Sequence, residues 1–263
     1  MTELFTAPQV ARLLGVTATT VKRWEASGLI ESSLTPGGHH RFKRGEVDRF
    51  LRAQEARSDD IESRLVELLL TGDDSFELQG TLMEMRGRLG SWFHVADEVG
   101  NALTVLGRQW EMGIRTVADE HIATRRLQHA LWVCTSSLPS PPKQPVCLLA
   151  TVEGEQHTLG LSLAKLCLRE AGWNTLWLGS PTPTTVLVNA IEQYRPQMVA
   201  VSASAYCHDP DEMAEHYRVV AKACRECGAE IMLGGEGAWP DGISAANRVR
   251  TFAEFAELIG RRK

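Results

Sequence analysis

After residue 145 the chain alternates strand-length apolar runs with amphipathic stretches without interruption, and this alternation fixes the fold class of its C-terminal part. VCLLATV, NTLWLG, QMVAVSAS and EIMLGG read as strands. LGLSLAKLCLREAG, TPTTVLVNAIEQY, PDEMAEHYRVVAKACRECG and FAEFAELIG read as helices between and after them. Strands that are apolar throughout are covered on both faces, as in a parallel sheet flanked by helices. The pattern predicts a doubly wound parallel sheet, Rossmann- or flavodoxin-like, over residues 146–263. Within it Thr182 is placed to cap a helix and Pro183 to take its first position. PSPPKQP, with four prolines in seven residues, cannot continue a helix and forms the linker before the sheet. Ligands bind such sheets at the carboxyl ends of the strands, and EGEQHTLG, residues 153–160, lies at the first of those ends.

The preceding residues have helical periodicity. DDIESRLVELLLTGD, SFELQGTLMEMRGRLG, WFHVADEVGNALTVLGRQWEMG and VADEHIATRRLQHALWVCTSSL predict a four-helix bundle over residues 58–138. Gly113 should separate the third helix from the fourth. Residues 1–57 form a third region. TAPQVARLLGV is a helix capped by Thr6 and ended by Gly15; TATTVKRWEASG is a second, capped by Thr17 and stopped by Gly28. Two short helices joined by a tight turn make a helix-turn-helix. The turn at Pro36-Gly37-Gly38 and the returning Arg41-Phe42 add a basic hairpin, a wing, before GEVDRFLRA resumes a helix. Arg57-Ser58-Asp59-Asp60 is the expected hinge. The chain is thus read as multidomain, α and α/β.

Charge separates the regions further. Residues 1–57 hold nine lysines and arginines against six acids, a net +3, which leaves −8 on the remaining 206 residues. A basic module on an acidic body implies that only the first region meets a polyanion. No apolar run is long enough to span a membrane, and MTELFTAPQV lacks the order of a signal peptide, so a cytoplasmic protein is expected. The six cysteines should be reduced thiols there, and Cys224-x-x-Cys227 reads as one helical turn with no second pair to complete a metal site.

FTAPQVARLLGVTATTVKRWEASGLI and TPGGHHRF resemble the winged-helix DNA-binding domain of the MerR family. The resemblance implies that operator double-stranded DNA is a partner, with the second helix in the major groove and the wing on the flanking backbone. Carried over, Thr19, Thr20, Lys22, Arg23, His39, His40 and Arg41 are the DNA contacts, and Trp24 is a core residue that fixes the helix. His40 stands where the family commonly has arginine.

His157, taken alone, is open to several readings. It can be a hydrogen-bonded loop residue. Catalysis would need a nucleophile or acid partner. Zinc would need three or four ligands, whereas only Glu155 clusters with it and His208 is an outsider. A cofactor that already carries its metal needs one protein ligand. Here Glu155-Gln156-His157-Thr158-Leu159-Gly160 is followed after 41 residues by Ser202-Ala203-Ser204, and after 29 more by Gly234-Gly235. This spacing resembles the cobalamin-binding domain of corrinoid proteins. The resemblance implies His157 as lower axial ligand to cobalt, with Glu155 as the partner that orients its ring. It implies a slot for the displaced nucleotide tail, lined by Thr158, Gly160, Ser202, Ser204, Gly234 and Gly235. Glu155 replaces the family's commoner aspartate, and Ser204 its leucine.

In QWEMGIRTVADEH, nine residues separate Trp110 from Glu120-His121, a spacing that resembles light-responsive cobalamin regulators of the CarH and LitR type. There the bundle covers the cofactor's upper face, so Trp110, Glu120 and His121 would contact an adenosyl group. Relatives that carry a histidine directly after the tryptophan use it as a cobalt ligand after photolysis; here the residue is Glu111. Together the resemblances imply a non-enzymatic transcriptional repressor. It would respond to light through adenosylcobalamin, with methylcobalamin as another possible form, and assemble as a homodimer or homotetramer. Two other readings stay open: a corrinoid methyl-transfer carrier, and a regulator whose pocket takes haem, a bilin or no cofactor.

Overall fold

The computed structural model describes residues 4–14, 18–35, 37–71, 75–140, 142–243 and 248–260. It divides into two compact units, Met1–Ser63 and Arg64–Lys263. The expected roles of Gly15, Thr17 and Pro36 lie outside the described residues.

In the first unit, strand β1 (Leu4–Phe5) leads into helix α1 (Ala7–Leu13), and α2 (Ala18–Ala26) follows. Thr6 caps α1 as expected: its hydroxyl accepts from Gln9 N while the Gln9 side-chain oxygen accepts from Thr6 N, and Pro8 sits in the first turn. Strands β2 (Ser33–Leu34) and β3 (His40–Lys43) form the wing. β1 joins it, giving the antiparallel order β1-β3-β2, a strand too short to read from the sequence. Val10, Val21, Ile30, Phe42, Val47 and Phe50 make the core. Trp24 packs its ring 4.9 Å from that of Phe50, the structural role expected of it.

The expected hinge is corrected. Residues 57–60 lie within one helix, α3 (Arg44–Thr71), which replaces the two shorter helices read from the sequence. Neither glycine nor proline interrupts residues 46–71, so nothing in the backbone chemistry ends the helix there.

The second unit holds the C-terminal part of α3, then α4 (Ser75–Leu89), α5 (Trp92–Glu111) and α6 (Val117–Ser136). Gly113, at φ +70°, follows the end of α5, and Thr116 caps α6 through a reciprocal pair with Asp119. Next come β4 (Val146–Thr151), α7 (Leu159–Glu170), β5 (Asn174–Gly179), α8 (Thr184–Tyr194), β6 (Met198–Ser202), α9 (Pro210–Cys227), β7 (Glu230–Gly234) and α10 (Phe252–Gly260). The strands are parallel in the order β5-β4-β6-β7. One expectation at the start of α8 fails. Pro183 is the cap position rather than the first helical residue, and the Thr182 hydroxyl turns back to Gly179 O at 3.0 Å.

Bundle and sheet are joined by polar contacts. Glu170, at the end of α7, accepts from Arg86 Nε at 2.6 Å and from Trp92 N at 2.7 Å. Asp97 of α5 accepts from Phe252 N and Ala253 N at 2.7 and 3.0 Å, occupying the free amides at the start of α10. Gln128 of α6 donates to Thr158 Oγ1 at 3.1 Å, directly beside His157. α6 is thereby held over the carboxyl end of β4.

Candidate cofactor site and nucleic-acid interface

The site is built on the turn after β4. Thr151 Oγ1 donates to Glu155 O at 3.1 Å and Glu155 N to Val152 O at 3.2 Å, which fold residues 152–155 back over the strand end. Glu155 is then only 2% exposed. Its Oε1 accepts from His157 N at 2.6 Å and lies 2.7 Å from His157 Nδ1; its Oε2 accepts from Ser204 N at 2.6 Å and from the Cys207 thiol at 3.3 Å. Burial works against ionisation, but the hydrogen bonds from Ser204 and His157 outweigh it and hold the carboxyl at about 2. A permanent carboxylate therefore faces Nδ1, which must carry the proton. Burial and that same carboxylate push the Cys207 thiol up to about 11.

The His157 side chain is 55% exposed, and its ring stacks on Tyr206 at 5.1 Å and 10°. No described residue bonds Nε2. It is a free acceptor on a ring fixed from one edge and one face, the form in which imidazole binds a metal. No group of three or more metal-binding side chains occurs among the described residues. One pre-oriented nitrogen suits a metal whose other positions are filled by its own macrocycle.

His157 opens into a cleft of about 1940 Å³ that Glu120, His121 and Gln128 line from the bundle, and Trp177, Tyr206 and His208 from the sheet. The volume exceeds the roughly 300–1,000 Å³ of drug-sized ligand pockets. Glu120, His121, Glu155, His157 and Thr158 are thus brought together. Trp110, 36% exposed, does not line the cleft, nor do Gly160, Ser202, Ser204, Gly234 or Gly235.

Gly160 instead lies in the first turn of α7, and the other four lie at or just after the ends of β6 and β7. Thr151, Ser202 and Gly234 are aligned across β4, β6 and β7. A Cβ on Gly160 would meet only Ser202 Oγ, at 3.9 Å. Gly235 has φ +79°, and a Cβ there would fall 2.1 Å from Ala203 O. Gly237, which the sequence reading passed over, is equally pinned: its Cβ would lie 2.6 Å from that of Ala203. The third glycine of Gly234-Gly235-Glu236-Gly237 was the available signal. Tyr206 and Cys207 were also missed, because their partners are far away in sequence.

In the first unit Thr19, Lys22 and Arg23 are exposed on α2, while the side chain of Thr20 lies outside the described residues. His39 and His40 are exposed on the wing; Arg41 is half-buried and donates to His40 O at 2.9 Å. His40 Nδ1 contacts Glu25 Oε1 and lies 3.0 Å from Ser32 Oγ, so it ties the wing to α2.

These two sites on these two folds define a class: a winged helix-turn-helix joined to a corrinoid-type α/β domain. Residues 4–55 match the helix-turn-helix domain family and residues 145–248 the B12 binding domain family. The chain is homologous to HTH-type transcriptional repressors of Myxococcus xanthus. It is 35% identical to CarA over 130 residues, 49% of this chain and 44% of CarA, so it spans under half of that relative. It is 24% identical to CarH over 269 residues, covering 87% of each. The monomethylamine corrinoid protein of Methanosarcina barkeri shares the fold, with a TM-score of 0.55 at 16% identity over 78% of this chain and 97% of that one. No helix among the described residues is long and apolar enough to cross a membrane.

Proposed function

We propose that this chain is a DNA-binding transcriptional repressor that senses light through adenosylcobalamin. The observation that carries the reading is the Glu155–His157 pair, a buried carboxylate that leaves one imidazole nitrogen free in a large cleft. Bound adenosylcobalamin would supply a cobalt–carbon bond that visible light can break. His157 Nε2 would hold the metal from below, and Glu155 would keep the opposite nitrogen protonated. Gly160, Ser202, Ser204, Gly234 and Gly235 would border the nucleotide tail, while Glu120 and His121 face the upper side from α6. Trp110 would reach that side only if the bundle tightens around the cofactor. Glu111, exposed at the end of α5, cannot act as the imidazole ligand that a histidine supplies in relatives.

Thr19, Thr20, Lys22, Arg23, His39, His40 and Arg41 would contact operator DNA, and a homodimer or homotetramer would multiply weak individual contacts. A ligand acts on DNA binding only through its different affinity for the two states. The winged helix favours this reading over a methyl-transfer carrier, which has no use for a DNA reader.

The test follows the visible spectrum and an operator gel shift with adenosylcobalamin, in darkness and after green light, for wild type and His157→Ala. The wild type should show the histidine-ligated spectrum and a shift that illumination abolishes. The variant should lose both. A shift indifferent to cofactor and light would refute the proposal.

A further inference from the structure

Among the residues that line the cleft, three polar side chains from three elements meet. Glu153, in the turn after β4, places Oε2 3.1 Å from both Thr184 N and Thr184 Oγ1 at the start of α8. Thr184 Oγ1 lies 2.9 Å from Nδ1 of His216 on α9. His216 is only 7% exposed and lines the cleft, yet its Nε2 is buried with no hydrogen-bond partner among the described residues. A buried polar atom left unpaired is costly, so such an atom beside a ligand cleft calls for a partner.

The chemistry of the chain of contacts fixes what that partner is. An ionised carboxylate can only accept, so the Thr184 hydroxyl donates to Glu153. Its oxygen then accepts from His216, which places that ring's proton on Nδ1. Nε2 is left as a bare acceptor. The shifts agree: bonds from Thr184 hold the Glu153 carboxyl below its usual range, and burial keeps the His216 ring neutral. The vacant partner must therefore be an N–H or O–H donor.

We infer that His216 Nε2 accepts a hydrogen bond from a primary carboxamide on the corrin rim, with Glu153 and Thr184 fixing its tautomer. The inference rests on the cobalamin reading of the cleft. The rim of that cofactor is edged with such amides, and hydrolysis turns any one of them into a carboxylate, which cannot donate. His216 is then a residue that selects amidated corrinoids against their acid forms.

The test titrates wild type and His216→Phe, following the corrin absorption, with hydroxocobalamin and with its separated monocarboxylic acids, each hydrolysed at one rim amide. Wild type should bind one monoacid about tenfold more weakly than the parent, and the variant should bind the parent about tenfold more weakly and lose that discrimination. Equal affinity of both proteins for the parent, or the same monoacid profile in both, overturns the assignment. Should His216→Phe fail to fold, Thr184→Val, which frees the tautomer, should flatten the same profile; an unchanged profile overturns the assignment there too. A wild type that binds no cobalamin overturns both this inference and the proposed function. One that binds cobalamin with a flat monoacid profile overturns this inference alone.

Discussion

Glu155 constrains its surroundings closely, because one buried carboxylate gathers donors from His157, Ser204 and Cys207. Its pKa is lowered from 4.5 to about 2, so the native state binds fewer protons than the unfolded chain between those values. The stabilisation is complete above about pH 4.5 and is lost as pH falls towards 2. Its size is on the order of 3 kcal/mol. Glu155→Gln keeps the shape and removes the charge. Urea unfolding should show a gap between wild type and variant on the order of 3 kcal/mol at pH 7 that shrinks by more than half at pH 3. A gap that does not change with pH would mean that the hydrogen bonds alone matter. Glu155, a visible departure from aspartate in the sequence, sits on the turn that folds residues 152–155 back over β4. That turn depends on Thr151 Oγ1 and on backbone geometry, which spacing alone does not display.

At the scale of elements, two glycines separate folding from binding. Gly235 sits at φ +79° against the Ala203 carbonyl, so Gly235→Ala should lower stability by about 3 kcal/mol, read as a fall in melting temperature of the apoprotein. Gly160 lies in the first turn of α7, where an added Cβ would make only an ordinary contact with Ser202 Oγ at 3.9 Å, so Gly160→Ala should leave apoprotein melting unchanged or slightly raised. Under the proposed function the added methyl should weaken cobalamin binding but spare a corrinoid that lacks the nucleotide tail. Equal loss for both corrinoids would count against a tail slot beside Gly160. The contrast also shows what a sequence can and cannot convey. The alternation of strands and helices, the bundle and the capping of α1 were legible, because hydrophobic period and cap chemistry are local. The polar set Glu153, Thr184 and His216 was not, since its members meet only after two crossovers of the sheet. The break expected at residues 57–60 failed for a related reason: a polar, charged run looked like a linker, but it contains no helix breaker.

For the molecule as a whole, charge and chemistry divide at neighbouring but different points: charge changes sign after residue 57, and the compact units meet at Ser63 and Arg64, with Asp59, Asp60 and Glu62 in between. The candidate DNA contacts fall in Met1–Ser63 and the candidate cofactor contacts in Arg64–Lys263. Residues 1–57 are basic and the remainder acidic, so sequence-independent attraction to a phosphate backbone is expected from residues 1–57 alone. Arg23, exposed on α2, provides a direct test. If it meets a phosphate, Arg23→Ala should weaken operator binding and reduce the slope of log affinity against log salt by about 0.9, the value for one released counterion. The same substitution should leave the corrin spectrum and cobalamin affinity untouched, because no residue of the Glu155–His157 network lies in the first unit. Linkage sharpens the point: if cobalamin changes DNA affinity by some factor, operator DNA must change cobalamin affinity by the same factor. Measuring cobalamin binding with and without saturating operator therefore reads the coupling between the units without any assumption about how it is transmitted. Equal cobalamin affinity in both conditions predicts a gel shift indifferent to cobalamin at equilibrium, and a cofactor-dependent shift beside it would mean that the shift reports a rate and not an affinity.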